Sequence, residues 1–230
     1  MTSLDGRTAE ALRSANDSDT PPEPIPDCPL CPRLVEFRRT NAEKYPDWFN
    51  GAVPSFGELD ARLLIVGLAP GLQGANRTGV PFMGDYAGDL LYPTLMKFGL
   101  ARGEHRPERP QALELVDCMI SNAVRCVPPA NKPTTAEIKE CRRFLAARIA
   151  SLPRLQVILA LGRIAHDSVV RTLGLKLKDA PFGHGAVHEV DGLTLVDSYH
   201  CSRYNTNTGV LTSEMFESVF EEIAGRLQRL

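Results

Sequence analysis

Side chains able to do chemistry gather in three short stretches of this 230-residue chain. HCSRYNTNTGVLT, residues 200–212, sets one histidine, one arginine and two asparagines among several hydroxyls, directly after the apolar run LTLVDSY. A histidine there can donate to, or exchange protons with, a group held at the mouth of a strand. GLAPGLQGANRTG, residues 67–79, satisfies neither the GxxxxGK[ST] nor the GxGxxG nucleotide fingerprint. It does offer close backbone approach at Pro70-Gly71 and amides near a helix start, and PFMGD follows with Phe82 and Asp85. An aromatic, a carboxylate and free amides suit a flat, hydrogen-bonding ligand such as a nucleobase; the alternative for Phe82 is a plain core position. NAVRCVPPANKPT, residues 122–134, supplies Asn122 and a cysteine.

Six cysteines stand at 28, 31, 118, 126, 141 and 201. Cys28 and Cys31 form a CxxC between prolines, and Cys126 and Cys141 bracket 14 residues. Four thiolates suit a tetrahedral metal or a cubane cluster, with unligated thiols as the alternative. Cys118 lies within a strand and reads as a small buried hydrophobe, and Cys201 as pocket lining or packing.

The elements that must position these residues alternate. ARLLIVG is a strand entering the glycine loop, and YAGDLLYPTLMKFGL is a helix with its proline near the start. LVDCMISNAVRC is a second strand, and TTAEIKECRRFLAARIASL a helix opened by a threonine cap with glutamate behind it. LQVILALG is a third strand and RIAHDSVVRTLG a helix closed by glycine. GAVHEVDGLTLVDSYH is a hairpin turning at Asp191-Gly192 into the last strand. TSEMFESVFEEIAGRLQRL closes the chain as a helix, capped by Thr208 or Thr212, with Gly209 allowing the return into it. Near-continuous apolar strands alternating with helices predict an α/β, three-layer α/β/α sandwich around a central, mainly parallel four-stranded sheet. In such folds ligands bind at the carboxyl ends of strands, where all three polar stretches fall.

Composition bounds the rest. The 43% apolar content is that of a globular domain. The absence of a long apolar run or a secretory leader predicts a cytoplasmic protein without a membrane partner, with monomer as the expected state. Residues 1–27, rich in Pro, Asp, Ser and Thr, predict a disordered tail, followed by one domain over 28–230. That tail carries six acids against two arginines, so the body is mildly basic although the whole chain is −2. Residues 125–148 hold six basic side chains and two acids, a surface for phosphates or simply a solvated helix face.

Together the three stretches and the order of Cys28, Cys31, Cys126 and Cys141 resemble the family 5 (B-type) uracil-DNA glycosylases, iron–sulfur members of the uracil-DNA glycosylase superfamily, over about residues 28–228. The resemblance implies hydrolysis of the bond between a damaged base, uracil and other deaminated bases among them, and deoxyribose, leaving an abasic site in single- or double-stranded DNA after the nucleotide is flipped out. It implies that Phe82 stacks on the base while Gly67, Ala69 and Gly71 line the pocket, and that His200 donates to the carbonyl oxygen of the leaving base. Asn122 meets the base edge or holds the catalytic water. Leu68 and Ala69 stand where most of the superfamily has an acidic or amide residue, a mark of family 5. Water activation then falls to Asp85 or Asn122, with Asn76 behind them. Arg203, Tyr204 and Asn205 are implied to meet phosphate or wedge into the gap; Cys201 replaces the proline that usually follows the histidine, and Tyr204 a smaller or amide residue. The four cysteines are implied to hold a [4Fe–4S] cluster, with zinc as the alternative, and Arg125, Lys132, Arg142 and Arg143 near it to meet DNA phosphates. A second reading keeps the scaffold as a non-catalytic iron–sulfur DNA-binding or redox-sensing protein, and a third is a metal-stabilised α/β domain of unrelated purpose.

Overall fold

Leu63 and Ile65 face one apolar cluster while Leu64 and Val66 face another, so a strand buried on both sides threads the middle of the molecule. The computed structural model describes residues 21–227. The strand is β2 (Leu63–Gly67), hydrogen-bonded in parallel to β5 (Cys118–Asn122) on one side and β6 (Val157–Leu161) on the other. β8 (Leu193–Ser198) continues the parallel run beyond β6. The sheet holds six strands, not four: β1 (Phe56–Gly57) and β7 (Val187–Val190) add antiparallel edges in the order β1-β5-β2-β6-β8-β7. A separate two-stranded ribbon joins β3 (Ala101–Gly103) and β4 (Leu113–Leu115).

Helices cover both faces, as expected of a largely parallel sheet. α1 (Pro32–Lys44) and the short α2 (Ala75–Thr78) precede α3 (Gly88–Lys97), which with α7 (Ser213–Leu227) packs on the Leu63/Ile65 face. α4 (Thr135–Ala150) and α5 (Arg163–Thr172) pack on the other. The Thr134–Glu137 capping box opens α4, and Gly174 in the left-handed region follows α5. Asp191 and Gly192 both have positive φ, the geometry of a tight hairpin turn. Thr212, not Thr208, caps α7, its hydroxyl accepting from the Met215 amide at 3.2 Å.

Local expectation failed at three places. Pro93 lies inside α3 instead of at its start, tolerated because Leu91, Tyr92 and Leu95 on the same helix are fully buried. The polar stretch after His200 is not all loop: α6 (Arg203–Asn207) forms there, its cap Ser202 accepting from the Asn205 amide. The expected tail boundary at Cys28 is also late, because Glu23 already pairs with Arg125 at 2.9 Å and with Arg148 at 2.5 Å; residues 1–20 of that expectation lie outside the described residues.

Candidate active site

The strand order reverses between β2 and β6: the chain leaves β2 for β5 on one flank and β6 for β8 on the other. A crevice opens beyond the carboxyl ends of strands at such a switch point. The loops after β2, β5 and β8 enclose a cavity of about 440 Å³ there, lined by Leu68, Ala69, Gly71, Phe82, Asp85, Asn122, His200 and Arg203 among others. That volume lies within the range of small-molecule sites.

Gly67 ends β2 because nothing larger fits: a Cβ there would sit 2.5 Å from both the Asn122 Oδ1 and the Phe82 ring. Aromatic face and amide therefore converge on one point. Phe82 is a non-glycine residue at φ 61°, a conformation that recurs where backbone strain serves a site. Asn122 is 2% exposed, and its Oδ1 has no hydrogen-bond partner among the described residues. A buried acceptor left open toward a cavity is costly unless a ligand donor meets it.

Asp85 rests against Gly71 and Gly74, where any Cβ would strike its carboxylate. Burial raises its pKa above the usual carboxylate range, partly offset by hydrogen bonds from the Ala75 and Gly71 amides. His200 follows β8, its Cβ against Gly162, where φ is +90° and an added Cβ would lie 3.2 Å away. Its ring lies 6.1 Å from that of Phe82 at an interplanar angle of 26°. Burial lowers the imidazole pKa to about 4, so the ring is neutral near pH 7 and donates from one nitrogen.

Gly67, Ala69, Gly71, Phe82, Asp85, Asn122, His200, Arg203 and Tyr204 therefore come together at one rim. Tyr204 is 73% exposed at the mouth. Two expected site residues do not share that rim. Asn76 is fully buried behind it and donates to the Asn50 Oδ1 at 2.9 Å, and Asn205 turns inward, its amide donating to the His200 carbonyl at 2.8 Å. Sequence reasoning passed over Tyr86 and Asn131, which also line the cavity. The Tyr86 ring lies 4.9 Å below the Arg203 guanidinium, and its hydroxyl bonds to the Asn207 Oδ1 at 3.3 Å. The available signal for Asn131 was the PPAN turn, in which Ala130 and Asn131 both take positive φ.

Cys28, Cys31, Cys126 and Cys141 line a second, smaller pocket together with Leu34, Ala52 and Phe144. None is in a disulfide. Burial pushes the Cys31 and Cys126 thiols up to about 11 and Cys141 to about 12, so thiolates there require a cation. The surroundings carry both signs of charge, Glu140 lining the pocket and raising the Cys31 pKa together with Glu137. Arg38 and Arg125 are both buried beside it, and the Arg125 amide donates to the Cys141 sulfur at 3.3 Å. Arg125 is consequently no phosphate ligand: it is 1% exposed and is held by the Val53 carbonyl, the Ser55 hydroxyl and Glu23.

Residues 54–224 match the family model described as the Uracil DNA glycosylase superfamily. The type-5 uracil-DNA glycosylase of Thermus thermophilus is 44% identical over 203 residues, covering 85% of this chain and 91% of that protein. The protein of the same description from Pyrobaculum aerophilum is 37% identical, covering 86% and 88%, and that from Mycobacterium tuberculosis 39% identical, covering 85% and 76%.

Proposed function

Because the chain belongs to the uracil-DNA glycosylase superfamily, we propose that it hydrolyses the N-glycosidic bond of uracil, and of other deaminated bases that fit the cavity, in DNA. The observation that carries this reading is the unpartnered Oδ1 of Asn122 beside the Phe82 ring. A flipped pyrimidine lying on Phe82 presents its ring N–H to that acceptor, so Asn122 reads the base edge. Asp85 then takes the role of holding water: it is the cavity carboxylate, and burial shifts its pKa toward that of a general base. Water oxygen bonds to C1′ as the bond from C1′ to the base breaks, the bonding pair leaves with the base, and the water proton passes to the Asp85 carboxylate. His200 donates to the base carbonyl oxygen as charge grows on it.

The DNA backbone runs past Arg203 and Tyr204 at the mouth. A [4Fe–4S] cluster held by Cys28, Cys31, Cys126 and Cys141 belongs to the same proposal; it supplies a covalent tie between the amino-terminal segment and the β5–α4 connection. No helix among the described residues is long and apolar enough to cross a membrane, and we place the protein in the cytoplasm as a monomer. Incubation with uracil-containing duplex DNA, followed by alkaline cleavage at abasic sites, tests the activity. Strand scission at the uracil position is expected from a brown protein. Tight, salt-sensitive DNA binding without scission overturns the catalytic reading, and a colourless, zinc-containing protein overturns the cluster.

A further inference from the structure

On the sheet face away from the Leu63/Ile65 cluster, β7, β8 and α5 bring two histidines and an aspartate together. The β7–β8 register pairs His188 with Leu195, and Asp197 lies two residues beyond Leu195 on the same face. α5 packs over that face and lowers His166 onto it. One nitrogen of each imidazole and one oxygen of the carboxylate all fall within 4.8 Å of one another. None of the three lines the catalytic cavity or the cysteine pocket.

Two features of this cluster ask for a positive charge at its centre. The first is the tautomer of His166. Its Nε2 lies 2.9 Å from the Ala180 carbonyl, which can only accept, so Nε2 carries a proton. In the neutral ring Nδ1 then points its lone pair at the Asp197 carboxylate, 2.7 Å from Oδ1. Lone pair against carboxylate is repulsive without a positive charge there; 2.7 Å admits a proton, and an ion bound to both groups needs that gap to open to roughly 3.4 Å. The second is a pair of orphans: the Asp197 Oδ2 and the His188 Nε2 are both buried without hydrogen-bond partners and face one another at 3.5 Å. Asp197 is fully buried. Two ligands bound to one tetrahedral zinc at about 2.0–2.1 Å stand roughly 3.4 Å apart, close to that spacing.

We propose that His166 Nδ1, His188 Nε2 and Asp197 form a binding site for a divalent transition cation of the zinc class. The donor set, two imidazoles and one carboxylate, suits zinc better than the hard oxygen-seeking cations. The Ala180 carbonyl plays the outer-shell part usual for a metal-bound histidine, fixing the ring orientation and the free nitrogen. The His188 side chain retains 16% exposure, whereas His166 and Asp197 are buried, so His188 is the side by which an ion would enter. The site braces the fold: it ties α5, β7 and β8 together three residues before His200, well apart from the chemistry.

The test uses the full chain with its cysteine-bound group in place, freed of loosely held metal by chelation and titrated in separate samples with Zn2+ and with Co2+. Expected is one equivalent of zinc beyond whatever the cysteines retain, and a cobalt spectrum of nitrogen and oxygen ligation without thiolate charge-transfer bands. His188→Gln removes one partly exposed ligand and is expected to weaken uptake more than about tenfold while leaving the cysteine-bound metal content unchanged. Asp197→Asn, which risks misfolding, is secondary. Uptake that His188→Gln leaves intact, thiolate bands in the cobalt spectrum, or no uptake at all overturns the proposal, the last leaving a proton alone between His166 and Asp197. None of these outcomes depends on glycosylase activity.

Discussion

His200→Ala separates a hydrogen-bond donor aimed at a leaving group from a merely packed histidine. The His200 side chain makes ring contact with Phe82 but no hydrogen bond to protein among the described residues, so its removal leaves no partner stranded. Loss of a donor that acts on transition-state charge costs ~2.7–4 kcal/mol, about 10²- to 10³-fold in rate. Single-turnover cleavage of a uracil-containing duplex, normalised to folded protein, should fall by that factor with DNA affinity nearly unchanged. The lowered pKa adds a second signature. The folded ring resists protonation down to about pH 4, whereas the unfolded chain titrates near 6.5. Between those values the unfolded state binds more protons, so this contribution is fully present above pH 6.5 and is lost as the pH falls toward 4. The loss is at most roughly 3 kcal/mol from the size of the shift, and smaller because the cavity admits water. The wild type should therefore lose thermal stability over this window faster than His200→Ala. Turnover within fivefold of wild type, or parallel stability profiles from pH 7 to 4.5, would refute the assignment.

Two further substitutions probe the supporting structure. Glu23→Ala leaves Arg125 and Arg148 buried and unpaired and should cost about 3 kcal/mol, toward the low end for a broken buried pair because Glu23 is part exposed; thermal melting above pH 6 reads it. Burial raises the Glu23 pKa, but the Arg125 charge and the Ser55 and Arg148 hydrogen bonds outweigh it and hold the carboxyl below 4.5, so its stabilisation fades below that pH and meets only the acid end of the His200 window. Asn205→Ala unhooks the His200 carbonyl and should slow cleavage about tenfold, in proportion to a lost hydrogen bond, without weakening DNA binding; Tyr204→Ala should do the reverse.

Those differences mark where the sequence was readable. Strands β2 and β6 announced themselves as runs of buried apolar residues, and β5 and β8 by apolar cores that give way to buried polar residues at their carboxyl ends. The edges did not. β1 is two residues long, and α1 buries Arg38 and Asn41 beside a single leucine, so neither carries a hydrophobic period. Charge counting misread residues 125–148 for a related reason: Arg125 and Arg148 are buried and share one carboxylate, that of Glu23, about a hundred residues earlier in the chain, and local composition contains no trace of that pairing. Asn205 and Asn76 look like site amides in sequence, yet each donates its side-chain N–H to protein, because an amide in a loop serves backbone order as readily as ligand; the buried Asn76 Oδ1 has no partner among the described residues.

Leu68 and Ala69 line the cavity directly after β2 and offer no side chain to water. In the proposed mechanism the carboxylate comes instead from the turn after Phe82, and two glycines, Gly71 and Gly74, keep open the volume it occupies. Moving the acid away from the strand end has a physical consequence. Asp85 rests on the Gly71 and Ala75 amides rather than at an exposed strand terminus, and burial can then lift its pKa while those amides keep it oriented. Glycine spacing that matches no nucleotide fingerprint is thus explained by a carboxylate 14 and 11 residues downstream. A methyl group at either glycine would displace the acid before it touched the substrate.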